Sequence, residues 1–159
     1  MFPDLSGTRI IFPFILATYF FINIFGCDRP THDIHMNSFV ADMHNDVLLR
    51  ALEGYDILSN LPDTQSDLEK FIIGGVDLQA FSVWVSPYEF QKSEYYEAAD
   101  KMISKLEFLC SRVPDKWDII RSYQDINYNL ENNIMSCMIG IEGGHIIGKD
   151  IKKIDHFYN

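Results

Sequence analysis

Apolar and polar positions along the chain change rhythm several times, and each change marks an element. An almost unbroken apolar run fills residues 10–26, interrupted by Pro13, Thr18 and Asn23, and a polar, aperiodic stretch follows to Ser38. Residues 39–44 (Phe-Val-Ala-Asp-Met-His) read as a short strand, and residues 47–52 begin a helical stretch that stops near Gly54. Ser66-Asp67-Leu68-Glu69 has the form of a capping box, with Ser66 expected to accept a backbone N–H and Glu69 to reach back, and Gly74-Gly75 supplies the helix stop. Residues 76–85 hold the run Ala80-Phe81-Ser82-Val83-Trp84-Val85, the mark of a strand buried on both faces, closed by Pro87. From Glu94 to Arg112 a helix is predicted by Ala99, Met102, Ile103, Leu106, Leu109 and Cys110, continued by Val113, recurring at three- and four-residue steps, with Glu97, Lys101 and Lys105 toward solvent. A further helix is predicted from Ser122 as cap through Leu130, stopped at Asn132-Asn133, before a buried strand over residues 134–141. Strands that alternate with helices and read as continuous apolar runs imply an α/β fold with a parallel sheet.

Composition adds the globular class. Hydrophobic residues make up 47% and charged residues 23% of the 159, a balance that suits one folded domain and excludes a disordered tail. The formal net charge of -10 argues against a nucleic-acid partner, because phosphate neutralisation needs clustered Lys and Arg. Three cysteines, Cys27, Cys110 and Cys137, show no C-x-x-C spacing, so neither a disulfide framework nor a zinc ribbon is indicated, and any metal must rely on His and carboxylates. Cys137, within an apolar strand, reads as a small core residue.

The first apolar run is short for a membrane span, which needs about 20 residues, and it follows Arg9 in the layout of a signal peptide. It ends Ile24-Phe25-Gly26-Cys27, which is similar to a bacterial lipobox, although Phe25 departs from the small residue usual there. The expected organisation is a signal peptide of lipoprotein type over 1–26, a tether over 27–38 and the folded part over 39–159, with Cys27 as the lipid attachment point at the cell envelope. A plain cleaved signal or an uncleaved anchor would export the domain equally. His32 and His35 in the tether read as solvated side chains.

Chemistry concentrates at two strand ends. In Asp42-Met43-His44-Asn45-Asp46, extended backbone sends alternate side chains to one side, so His44 and Asp46 are expected to face together. An isolated His-x-Asp is usually a satisfied polar strand end. The reading changes with Glu142, a carboxylate at the end of an apolar strand, backed by Gly143-Gly144, which lets the chain turn sharply. Parallel α/β proteins build sites at C-terminal strand ends, and His with carboxylates suits zinc, including a bridged pair.

These segments resemble a known family. Asp42-Met43-His44-Asn45-Asp46, the run from Gly75 to Val85, and Ile139-Gly140-Ile141-Glu142-Gly143-Gly144-His145 are similar, in that order, to the first three strand motifs of the renal (membrane) dipeptidases. The resemblance implies a (β/α)8 barrel with two zinc ions, His44 and Asp46 binding one and Glu142 bridging both, and hydrolysis of dipeptides by a zinc-activated hydroxide. It implies that His145 orients the loop after the strand, while Gln79 and Trp84 read as packing. A barrel of this kind takes about 250 residues, so the resemblance covers roughly three βα units and the chain is expected to be a truncated, inactive N-terminal part. The remaining histidine ligands and the general acid and base are expected on later strands. Two rivals stand beside this reading: a barrel hydrolase of the amidohydrolase type, which would carry His-x-His where this chain has His44-Asn45-Asp46, and a lipid-tethered binding or structural remnant without catalysis.

Overall fold

The computed structural model describes residues 34–158. The expected signal segment, Cys27 and most of the tether, His32 included, lie outside the described residues. The chain divides into two units, Met1–Ser38 and Phe39–Asn159. Of the first, the described part is residues 34–38, with a single helical turn at 34–36. The second unit contains every element below, and among the described residues no helix is long and apolar enough to cross a membrane.

The second unit is α/β. Strand β1 (Ala41–Asn45) leads to α1 (Val47–Leu52) and α2 (Leu68–Ile73), then β2 (Leu78–Trp84) and the long α3 (Tyr95–Arg112). A three-residue β3 (Trp117–Ile119), α4 (Tyr123–Asn132), β4 (Met135–Glu142), a 3-10 turn (Gly144–Ile147) and α5 (Lys153–Tyr158) complete it. All pairings are parallel, and the sheet order is β1-β2-β4-β3. Four strands thus stand where the apolar runs predicted three. Trp117-Asp118-Ile119 is too short to show a period, and it pairs only with the first residues of β4, Trp117 opposite Met135 and Ile119 opposite Cys137. The sheet starts later than expected at β1 and β2 because Val40 and Asp77 form a joint between them. The Val40 N–H donates to the Asp77 carboxylate at 2.7 Å, and the Val40 carbonyl accepts from the N–H of Asp77 at 2.9 Å.

The long helix forms as its spacing dictates. Ala99, Met102, Leu106, Leu109 and Cys110 are buried along one stripe, each large one contributing roughly 1.5–3 kcal/mol by leaving water. On the far side Glu97 pairs with Lys101 at 2.9 Å, one helical turn away. The stripe packs toward the β2 face that carries Phe81 and Val83, where Phe71, Phe81 and Trp117 meet with ring centroids 5.5 to 6.0 Å apart. Ser122 caps α4 in a reciprocal capping box with Asp125, and Asn133 ends it in the left-handed conformation.

One expected cap is corrected. Asp67, rather than Ser66, is the N-cap of α2, accepting the Lys70 N–H at 2.9 Å. The choice is tertiary: the buried Asp67 carboxylate also accepts the Leu61 N–H at 3.0 Å and pairs with the Lys70 ammonium, while the Ser66 hydroxyl accepts from Asn45. Gly75 is the left-handed residue at the end of α2, whereas Gly74 remains in the right-handed region.

Candidate metal centre

The C-terminal ends of β1 and β4 deliver the three side chains, each by a different local device. In β1, Asp42 stands opposite Gln79 and Asn45 opposite Phe81, so two residues of β1 face the single intervening Ala80 of β2. This bulge reverses the parity of the strand. Asp42 and Asn45 both take the side of Gln79 and Phe81, and His44 is left on the opposite face, over Ala80 and Ser82. Unbroken alternation from Asp42 would have turned His44 toward the helices.

Asp46 lies just beyond the strand, at the N-cap of α1 with φ -93° and ψ 12°. His44 and Asp46 come together as expected, by a bulge followed by a turn rather than by strand alternation. The Asp46 side chain makes no cap hydrogen bond. Asn45 takes that duty, its Oδ1 accepting the Val47 N–H at 3.0 Å while its amide donates to the Ser66 hydroxyl at 2.9 Å. The Asp46 carboxylate is thereby free to face His44.

Glu142 is the last residue of β4, in register with Trp84. Gly143 turns the chain with φ +90°, and a Cβ there would stand 2.5 Å from Nδ1 of His145. Nε2 of His145 donates to the Val85 carbonyl at 2.9 Å, and its ring meets Tyr95 edge-on at 5.0 Å. His145 therefore ties the turn after Glu142 to the end of β2 and stands apart from the three clustered side chains. Gln79 is wholly buried, its amide donating to the carbonyls of Asp42 at 3.2 Å and Ala80 at 3.0 Å.

Nε2 of His44 lies 3.4 Å from Oδ2 of Asp46 and 3.6 Å from Oε2 of Glu142, and one donor atom from each of the three residues falls within 4.8 Å of the others. Both distances are long for hydrogen bonds. They suit neighbouring ligands of one ion: two donors each about 2.1 Å from a tetrahedral zinc stand about 3.4 Å apart. All three side chains are half exposed, so an ion there has access from solvent. One imidazole and two carboxylates form a donor set of net charge -2 when the histidine is neutral, which zinc or another divalent cation offsets. Sequence reasoning missed Asn45 and Ser82. The hydroxyl of Ser82 donates to Oε2 of Glu142 at 3.1 Å, and its one signal was a lone polar residue inside an apolar run.

Comparison with known proteins identifies the family and the fold. The family described as Membrane dipeptidase (Peptidase family M19) matches residues 29–159. Dipeptidase 3 of Mus musculus is 28% identical over 125 residues, covering 75% of this chain and 24% of the relative. The chain thus spans about a quarter of the length of the curated relatives it matches. Among solved structures, the dipeptidase AC, a metallo peptidase of family M19, superposes with a TM-score of 0.66 at 22% identity, covering 76% of this chain and 39% of that one. A metallo peptidase from Rhodobacter sphaeroides, liganded with a phosphinate mimic of the dipeptide L-Ala-D-Ala, gives a TM-score of 0.66 at 20% identity over 76% of this chain and 42% of that one. At these identities the structural likeness establishes the fold.

Proposed function

Since the chain belongs to the membrane dipeptidase family, peptidase family M19, we propose that His44, Asp46 and Glu142 hold zinc in a centre that hydrolyses dipeptides. The carrying observation is the ligand-to-ligand spacing of 3.4 and 3.6 Å around Nε2 of His44. Zinc supplies Lewis acidity and an activated water at neutral pH. The chain's own part is to set three donors at one strand-end mouth; in this proposal Glu142 would be shared by a metal pair, and His44 and Asp46 would serve one ion. The dipeptide substrate is supported by family membership and by the dipeptide mimic bound to the Rhodobacter sphaeroides relative.

A catalytic zinc ordinarily takes three protein ligands, so two ions need more donors than these. Among the described residues His44, Asp46 and Glu142 are the cluster able to hold a metal. The other ligands and the general acid and base are therefore assigned to polypeptide other than the described residues. The parallel sheet, with ligands at its C-terminal strand ends, is proposed as one arc of a (β/α)8 barrel. Attachment to the membrane through a lipid on Cys27 rests on the apolar run before it. Fatty-acid label that persists in Cys27→Ser would exclude that attachment.

Zinc titration of the full chain tests the centre. The unaltered chain is expected to bind zinc, and Asp46→Asn and Glu142→Gln each to weaken binding about tenfold or more. Unchanged affinity in both variants would overturn the assignment. Dipeptide turnover measured on the same sample separates a working hydrolase from a tethered metal-binding protein.

A further inference from the structure

Glu142 is a long side chain at a strand end, half exposed, and left alone it would sample several orientations of its carboxylate. One hydrogen bond limits it. Ser82 sits on β2 directly opposite Gly140 of β4, two residues before Glu142 on the same face of the sheet. The Glu142 carboxylate leans back along its strand, and Oε2 accepts from the Ser82 hydroxyl at 3.1 Å. That same Oε2 faces Nε2 of His44 at 3.6 Å. A carboxylate oxygen has lone pairs for both a donor and an ion, and Oε1 carries further ones.

Ser82 itself is 96% buried, being 4% exposed, in a strand whose other inward side chains near the mouth include Ala80. A nearly buried hydroxyl on a rigid strand is a fixed reference point, in contrast to water or an exposed side chain. From this geometry we propose that Ser82 is a positioning residue, holding the Glu142 carboxylate in the orientation in which it meets the metal. The assignment rests on Glu142 being a ligand. Donors that orient ligating carboxylates change metal affinity by about ten- to a hundredfold when removed. Donation to Oε2 also draws charge from that oxygen, so the bond sets the ligand's strength as well as its direction.

The test is made on the full chain by zinc titration and by visible absorption with Co2+ as a probe ion, which reports ligand geometry. Two pairs differ in the hydroxyl alone: the natural serine against Ser82→Ala, and Ser82→Thr against Ser82→Val, the latter two nearly equal in shape. The chains with a hydroxyl are expected to share one Co2+ spectrum. Those without it are expected to bind zinc about tenfold or more weakly and to show an altered spectrum, with an unchanged fold by circular dichroism. Retained affinity and spectrum in Ser82→Ala or Ser82→Val, while Glu142→Gln loses binding, would overturn the positioning role and leave the metal centre standing. Full affinity in Glu142→Gln and His44→Ala would instead overturn the centre itself. If Ser82→Ala and Ser82→Val both fail to fold, Ser82 is a folding residue and the proposal falls.

Discussion

The side-chain amide of Asn45 donates to the hydroxyl of Ser66 across 2.9 Å, fastening the end of β1 to the loop that precedes α2. The same side chain accepts the Val47 N–H, so it also starts α1. Its neighbour Asp46 occupies the N-cap yet makes no cap bond. Capping falls to Asn45, which leaves the Asp46 carboxylate facing His44. Asn45→Ala is therefore expected to destabilise the metal-free chain by about 1–2 kcal/mol through two lost hydrogen bonds. Asp46→Ala should stay within about 0.5 kcal/mol, since an exposed pair with His44 contributes little. Urea unfolding of both variants checks the contrast, and equal losses would contradict it.

Asp67 gives the fold an acid-sensitive point. Burial raises its carboxyl pKa, but the Lys70 ammonium and the backbone N–H groups of Leu61 and Lys70 outweigh burial and hold it below the ordinary value. A carboxyl with a lowered folded pKa stabilises the fold fully above its unfolded value, near about 3.9, and loses that contribution as pH falls through the folded value. Asp67→Asn should cost about 1–3 kcal/mol at pH 7. The gap between this variant and the unaltered chain should close as unfolding is measured at successively lower pH below about 4. A gap that does not change with pH would show that the charge of Asp67 contributes nothing.

Cys137 and Cys110 place their sulfurs 3.8 Å apart in the core. Burial first, and then the neighbouring Cys110 thiol, push the Cys137 thiol well above its ordinary range. The thiolate is the reactive form, so Cys137 should resist iodoacetamide at neutral and mildly alkaline pH in the folded chain and react once urea unfolds it. Mass spectrometry of the peptide that contains Cys137 reads this directly. Rapid labelling of the folded chain would assign it a chemical role that its surroundings do not support.

The elements legible in the sequence were those long enough to show a period. The stripe from Ala99 to Cys110, the buried run through Phe81 and the Ser122-to-Asn133 helix signals each match an element within a residue or two. His44-x-Asp46 by itself carried little signal; Glu142 at the end of an apolar strand and the resemblance of the three strand motifs singled out the set, and the structure brings all three together. Trp117–Ile119 was not legible, since three residues carry no rhythm and their pairing depends on β4. The cap of α2 was misplaced by one residue because Ser66 and Asp67 are both good caps locally; Leu61 and Lys70, brought in by folding, decide for Asp67. The β1 bulge leaves no mark either, since Asp-Met-His-Asn-Asp alternates in the same way with or without an extra residue.

The two glycines that flank Glu142 on β4 and its turn should respond oppositely to an added methyl group. At Gly140 a Cβ would meet only the Phe81 carbonyl oxygen within 4 Å, at an ordinary contact distance of 3.8 Å. Gly140→Ala should therefore be tolerated, and exchanging glycine for alanine in a strand gains a few tenths to about 1 kcal/mol by restricting the unfolded chain. At Gly143 the backbone has φ +90°, which a side chain strains by about 1–2 kcal/mol. The added Cβ would also stand 2.5 and 2.6 Å from Nδ1 and Cε1 of His145. That ring cannot swing aside freely, because Nε2 is bonded to the Val85 carbonyl and the ring edge is packed on Tyr95. Gly143→Ala must either distort the turn or break the His145 bond, and both displace Glu142. It should lower the unfolding free energy by about 2–3 kcal/mol, strain and one hydrogen bond together, and weaken zinc binding although no ligand is altered. His145→Ala removes the clash and the tie at once. In the His145→Ala background, Gly143→Ala should cost only the strain of its positive φ, so the two changes should be less than additive. Full additivity in a double-mutant cycle would show that the His145 ring is not what confines position 143 to glycine.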